Sequence, residues 1–172
     1  MIYASARQVA AVAPFNLAGK VRVLVQVVYQ GRATNSLSMN VAPTAPGFFT
    51  ANSSGVGGGA FLNADGSFNS PGNPAARGSI VVFFATGLGA MQPSMADGEL
   101  AAAPFPRPAA DLQVRIADRP AEVFYAGAAP GFVAGLIQLN VRVPEEIAAG
   151  EVPVVIEAGG VRSPRTVSIA VR

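Results

Sequence analysis

Few residue types in this chain can move a proton or attack a bond. There is no histidine and no cysteine, and Lys20 is the single lysine. A serine nucleophile would need Lys20 or a carboxylate as its base, and Lys20 opens the alternating run KVRVLVQVVYQ, where a solvent-facing position is expected. Glu145 and Glu146 are the one adjacent acidic pair. Neighbouring side chains in a turn diverge, so they do not flank one bond as glycosidase carboxylates do; a place at the start of a helical turn suits them better. Gly87-Leu88-Gly89 follows an apolar run but lacks the third glycine and the helix of a dinucleotide fingerprint, which leaves a turn. Gly55-Val56-Gly57-Gly58-Gly59 lacks the Lys-Ser/Thr pair of a phosphate loop and reads as a flexible connector. Asn63, Asp65 and Ser67 alternate as oxygen ligands would, yet only Asp65 is acidic, and a calcium loop needs more carboxylates. The turn Asn63-Ala64-Asp65-Gly66 accounts for them. No catalytic residue, cofactor or metal is expected.

Residues that could hold a partner are aromatic. Phe132 lies in the loop AGAAPGF, Tyr125 in the strand before it, and Phe48-Phe49 form a second pair. Exposed rings anchor partners well. Gln138 and Asn140 interrupt an apolar strand, and buried amides require hydrogen-bond partners, here expected from the backbone of the loop 127–135.

Charge excludes further classes. Twelve Lys and Arg against ten Asp and Glu give +2, and the eleven arginines are dispersed from Arg7 to Arg172. Nucleic-acid binding needs a dense basic stripe, so no nucleic-acid partner is expected. Two uncharged stretches, 78–96 and 123–141, have the length of a membrane span, but glycines and prolines interrupt both. They read as strands, and no span is expected.

The elements that must position these residues repeat with a period of two. Val21, Val23, Val25, Val27 and Tyr29 share one face; Leu37, Met39 and Val41 alternate with Ser36, Ser38 and Asn40, giving a hairpin with one wet and one dry face. The run 79–85 suits a central strand buried on both sides. Strands are expected over 112–116, 123–125, 136–143, 151–157 and 167–171, with turns at Arg119-Pro120 and Gly159-Gly160.

The two ends of the chain also resemble each other. Gln8 matches Gln138, Pro14 matches Pro144, Leu17 matches Ile147, Gly19 matches Gly150 and Val41 matches Val171, a spacing of about 130 residues. Upstream, Ile2-Tyr3-Ala4 matches Phe124-Tyr125-Ala126. The expected fold class is therefore all-β: a complete Ig-like β-sandwich at 78–172, a Pro/Gly-rich connector with its own hairpin at 44–77, and a half-sandwich at 1–43. Half a sandwich exposes an apolar face and strand edges. The expectation is a piece of a longer protein; the alternatives are self-association of the half-unit with a second copy or its folding against the complete domain.

The strings APTAPGFF (42–49), NADGSFNSPGNPAARGS (63–79), ATGLG (85–89) and VFYAGAAPGFVAGLIQLNVRVP (123–144) resemble an uncharacterised C-terminal domain family of secreted acidobacterial proteins, and the likeness covers nearly the whole chain. GSIVVFFATGLG (78–89) resembles the opening strand of IPT/TIG-type Ig-like domains. The resemblance implies an exported module at the cell surface or outside the cell. Its work would be spacing, adhesion or protein association, its partners other domains of a longer parent protein or a surface protein or glycan. The alternative is a carbohydrate-binding module, which the absence of tryptophan weakens.

Overall fold

Valine, isoleucine and phenylalanine at alternate positions favour extended backbone, because a branched or aromatic side chain packs well on a pleated surface. Glycine and proline at the ends of each run turn the chain. The result, in a computed structural model that describes residues 3–172, is all-β. Among the described residues the one helical element is a 3-10 turn, Phe15–Leu17, and no helix is long and apolar enough to cross a membrane. The chain divides into two units, Met1–Pro43 and Thr44–Arg172.

The first unit holds β1 (Tyr3–Ala4), β2 (Val9–Ala10), β3 (Arg22–Val25), β4 (Val28–Tyr29), β5 (Arg32–Ala33) and β6 (Leu37–Asn40). They pair as three antiparallel ribbons, β1 with β2, β3 with β6 and β4 with β5. Gln30 and Gly31 both take positive φ (49° and 74°), the geometry that joins two strands through a two-residue loop. The expected strand over 20–30 is broken at Gln26-Val27, where the Gln26 amide nitrogen donates to the Thr34 carbonyl at 2.7 Å. The dry face of the hairpin is present but uncovered: none of the described residues of this unit is buried.

The second unit contains β7 (Gly47–Phe48), β8 (Gly57–Gly58), β9 (Ile80–Thr86), β10 (Met91–Gln92), β11 (Arg107–Pro108), β12 (Leu112–Ile116), β13 (Arg119–Ala121), β14 (Val123–Ala128), β15 (Ile137–Arg142), β16 (Gly150–Ala158), β17 (Val161–Arg162) and β18 (Val167–Val171). One sheet has the order β14-β15-β9-β7. The other runs β13-β12-β16-β18-β8 with β17 also on β16, and β10 pairs with β11. Every pairing between these strands is antiparallel except β18 with β8, and an isolated Ala75–Val171 bridge is also parallel. The core takes Val81, Phe83 and Ala85 from β9, Leu139 and Val141 from β15, Val114 and Ile116 from β12, and Ile156 and Ile169 from β16 and β18.

Residues 44–77, expected to connect two units, build part of this core. Phe48, Phe61 and Phe83 form a cluster, with ring centroids 5.3 Å (48–61), 5.7 Å (48–83) and 4.2 Å (61–83) apart. The expected hairpin exists, Leu62 bridging Phe68, but its flanks are anchored. Asn69 acts as a backbone surrogate, accepting from the Ala170 amide and donating to its carbonyl, both at 2.9 Å. The glycine-rich run is likewise ordered: Gly57 and Gly59 donate to the Thr166 and Ser168 carbonyls at 2.7 and 3.0 Å.

Three local expectations change. β9 has neighbours on both sides, yet only one face is buried, with Val82 and Phe84 half-buried on the other. The hairpin between β12 and β13 turns at Ala117-Asp118 rather than Arg119-Pro120, both residues having positive φ (50° and 63°); Asp tolerates that region and Ala does not favour it, so composition gave no signal. Glu145 and Glu146 lie on an exposed bend without a helical turn, where Arg77 Nη1 donates to the Ile147 carbonyl at 3.1 Å.

The repeat extends to individual hydrogen bonds. The Thr34 amide bonds the Val27 carbonyl at 2.9 Å and the Thr34 hydroxyl accepts the Val27 amide at 3.2 Å. Ser163 and Ile156 make the same two bonds at 2.8 and 3.1 Å. Tyr3 pairs with Ala10 as Tyr125 pairs with Asn140, and Val23 pairs with Met39 as Val152 pairs with Ile169. The pairing places Val21, rather than Gly19, opposite the role of Gly150, because the Val41 amide bonds the Val21 carbonyl where Val171 pairs with Gly150. This slide is two residues, so no side chain changes face.

Phe61→Ala should lower stability by about 3–5 kcal/mol, the usual cost of emptying a buried phenylalanine site, measured by urea unfolding. Gly87→Ala should cost more than about 1 kcal/mol, since Gly87 has φ +75° and a Cβ there would run into the Ala45 carbonyl oxygen.

Candidate functional site

The pleat of β9 puts Phe83 inward and Phe84 outward, and the register carries that choice across the sheet. Phe84 lies opposite Gln138 of β15, which lies opposite Gly127 of β14. On the other side Phe48 pairs with Ala85, and the next residue, Phe49, donates its amide to the Phe84 carbonyl at 3.2 Å. One outward row therefore reads Gly127, Gln138, Phe84, Phe49. The adjacent row reads Tyr125, Asn140, Val82. Phe132, on the loop between β14 and β15, stands over Phe84 with ring centroids 6.4 Å apart.

Three of the four rings singled out in the sequence thus lie on one sheet face. Phe132 and Phe49 are exposed, and Tyr125 is half-buried. Phe48 is not available to a partner: strand alternation turns it into the core against Phe61 and Phe83. One ring of the face was not foreseen, and the amide pair is bonded otherwise than expected. Phe84 was hidden in a run read as buried throughout, although a period of two within FF places one ring on each face. Gln138 and Asn140 do not bond the 127–135 backbone; Gln138 Nε2 donates to Asn140 Oδ1 at 2.9 Å. Among the described residues neither Gln138 Oε1 nor Asn140 Nδ2 has a partner, so each remains open to a ligand.

Tyr125 closes one end of the face. Its hydroxyl donates to the Ala128 carbonyl at 2.9 Å. Its ring fills the space that Gly127 leaves, since a Cβ there would come within 2.6 Å of the Tyr125 oxygen. Burial pushes the phenol up from its ordinary 10.0, against a smaller opposing pull from Arg107. A depression of about 250 Å³ lies beside it, walled in part by Arg107 and Phe124. Arg142 sits over the Phe124 ring at 5.0 Å and pairs with Glu122 at 3.2 Å.

The remaining candidates are committed to local structure. Asp65 Oδ1 accepts from the Ser67 amide at 2.9 Å and its hydroxyl at 2.5 Å, while Asn63 Nδ2 donates to the Asn73 carbonyl at 3.0 Å. Lys20 is exposed. Gly87 and Gly89 both have positive φ and lead into β10 rather than a helix. Among the described residues no three acidic side chains gather as metal ligands would. The outward face can grip a flat apolar surface and offer amide hydrogen bonds.

No family model, curated protein or solved structure matches this chain.

Two carboxylates titrate low. Asp65 is held below its ordinary 3.8 by the Ser67 hydroxyl and amide. Asp118 is held below it by the Arg165 guanidinium, which bonds both oxygens at 2.6 and 3.0 Å. A depressed carboxyl pKa adds stability above its unfolded value, and that contribution is lost as pH falls through the folded value. NMR titration should place both midpoints below 3.8. In Arg165→Ala, Asp118 should return toward that value while Asp65 stays in place; an unmoved Asp118 would contradict the assignment.

Proposed function

We propose that the chain is a non-catalytic, extracellular or cell-surface β-sandwich module of the Ig-like kind, serving spacing, adhesion or protein association. The observation that carries this reading is the outward row Phe49–Phe84–Gln138 with Phe132 above it: aromatic surface beside unfilled amide groups on a rigid sheet. Rings of this kind give large contact area at low entropic cost. The resemblance to the C-terminal domains of secreted acidobacterial proteins supports the same reading and the extracellular setting, and the repeated framework suits a chain of modules.

A second reading, a carbohydrate-binding module, is favoured by the same juxtaposition. A ring pair 6.4 Å apart next to an amide pair can take a sugar's apolar face and its hydroxyls together.

Purified protein should turn over chromogenic ester, peptide, glycoside and phosphate substrates no faster than buffer. A turnover abolished by one point substitution would overturn the first reading. A glycan array should stay blank under it; a signal lost in Phe132→Ala, with the urea midpoint unchanged, would transfer the assignment to the second.

A further inference from the structure

The same hydrogen-bonded framework is dry in one copy and wet in the other. Val9, Val25, Val27, Leu37 and Met39 are 46%, 45%, 41%, 61% and 49% exposed. By pairing and hydrogen bonds their counterparts are Leu139, Val154, Ile156, Val167 and Ile169. Those are 0%, 0%, 0%, 4% and 0% exposed. Each of these five buried residues has an apolar equivalent in the first unit, so the sequence retains a core-forming face there. The second unit also shows what covers it. β15 carries β9 on its free edge, with Leu139 opposite Phe83. β16 carries β12, with Val154 opposite Ile116 and Ile156 opposite Val114. Among the described residues of the first unit β2 pairs only with β1, and β3 only with β6. The edges that would receive the two strands are open, and an open edge templates pairing.

We propose that residues 3–43 are an acceptor for a polypeptide segment of the 44–122 type. One strand of that segment would pair antiparallel with β2, setting an aromatic in the role of Phe83 opposite Val9. Another would pair with β3, setting branched aliphatics in the roles of Ile116 and Val114 opposite Val25 and Val27. This chain's own β9 and β12 are not the occupants, because each is already paired on both edges, β9 by β15 and β7, β12 by β16 and β13. A second copy has the same strands engaged and offers only another face lacking the same two strands. The chemistry of the face therefore selects the strand set that completes it.

The test joins a second copy of residues 44–122 directly ahead of Met1 of the full chain. No linker is needed: Tyr3 stands where Tyr125 stands, which makes position 1 the counterpart of position 123. Amide exchange over 9–10, 22–28 and 37–41 should slow by at least about a hundredfold against the original chain, since closing a sheet moves those amides from fraying to sub-global opening. Exchange over 44–172 serves as the internal standard of folding. Met39→Asp in the elongated chain, at the counterpart of Ile169, should restore fast exchange over 9–41 and leave 44–172 protected. Unchanged exchange over 9–41 in the elongated chain would overturn the proposal. So would an original chain already slow at those amides, with doubled mass by light scattering showing a second copy in place or single mass showing a face that needs no partner. None of these results touches the proposed function, which rests on the outward face of the second unit.

Discussion

The pleat of β9 is the constraint on which both the core and the candidate site depend. Successive side chains of a strand point to opposite faces, so Phe83 can join Phe48 and Phe61 only if Phe84 faces out. Shifting the pairing of Ile80–Thr86 by one residue would exchange the two rows, emptying the phenyl cluster and sinking the outward ring. The register against β15 prevents this. It sets Leu139 beside Phe83 and Gln138 beside Phe84, and an amide in the core without partners would be costly. The polar residues of β15 thus select the face that β9 presents.

How far the sequence revealed this depends on range. Alternation was enough for β12, β15, β16 and β18, and Gly159-Gly160 for the turn after β16. The all-β class followed from those signals alone. What stayed hidden was contact between distant segments. Nothing local in a stretch rich in proline and glycine says that Phe61 will stack on Phe83, or that Asn69 will stand in for a strand beside Ala170. The turn at Ala117-Asp118 was missed for the converse reason. Pairing of Ile116 with Arg119 across a two-residue turn puts positive φ on residues that do not advertise it. For the site, aromatic content pointed to Phe132, Phe49 and Tyr125, but only the sheet register separates Phe49 from Phe48.

The repeat separates two contributions that usually arrive together. Thr34 and Val27 reproduce the hydrogen bonds of Ser163 and Ile156 within a few tenths of an ångström, yet Val27 is exposed and Ile156 fully enclosed. Backbone pairing follows from local chain geometry and turn residues. Exclusion of water needs a second layer. A ribbon that meets the first condition without the second is marginal in water, which is why the composition of residues 3–43, rather than its hydrogen bonding, states what it lacks.

The outer flank of β18 is sealed piecewise. Gly57 and Gly59 bond its first residues, Asn69 takes both groups of Ala170, and Ala75 adds a bond to the same carbonyl at 2.9 Å. At the opposite rim of that sheet, Pro120 has no N–H to give and Arg119 carries charge. Fibril growth requires an uninterrupted ladder of donors and acceptors on a bare rim. Neither rim supplies one, so this sheet is guarded against amyloid-type stacking at high concentration by three short segments and one proline, without a covering helix.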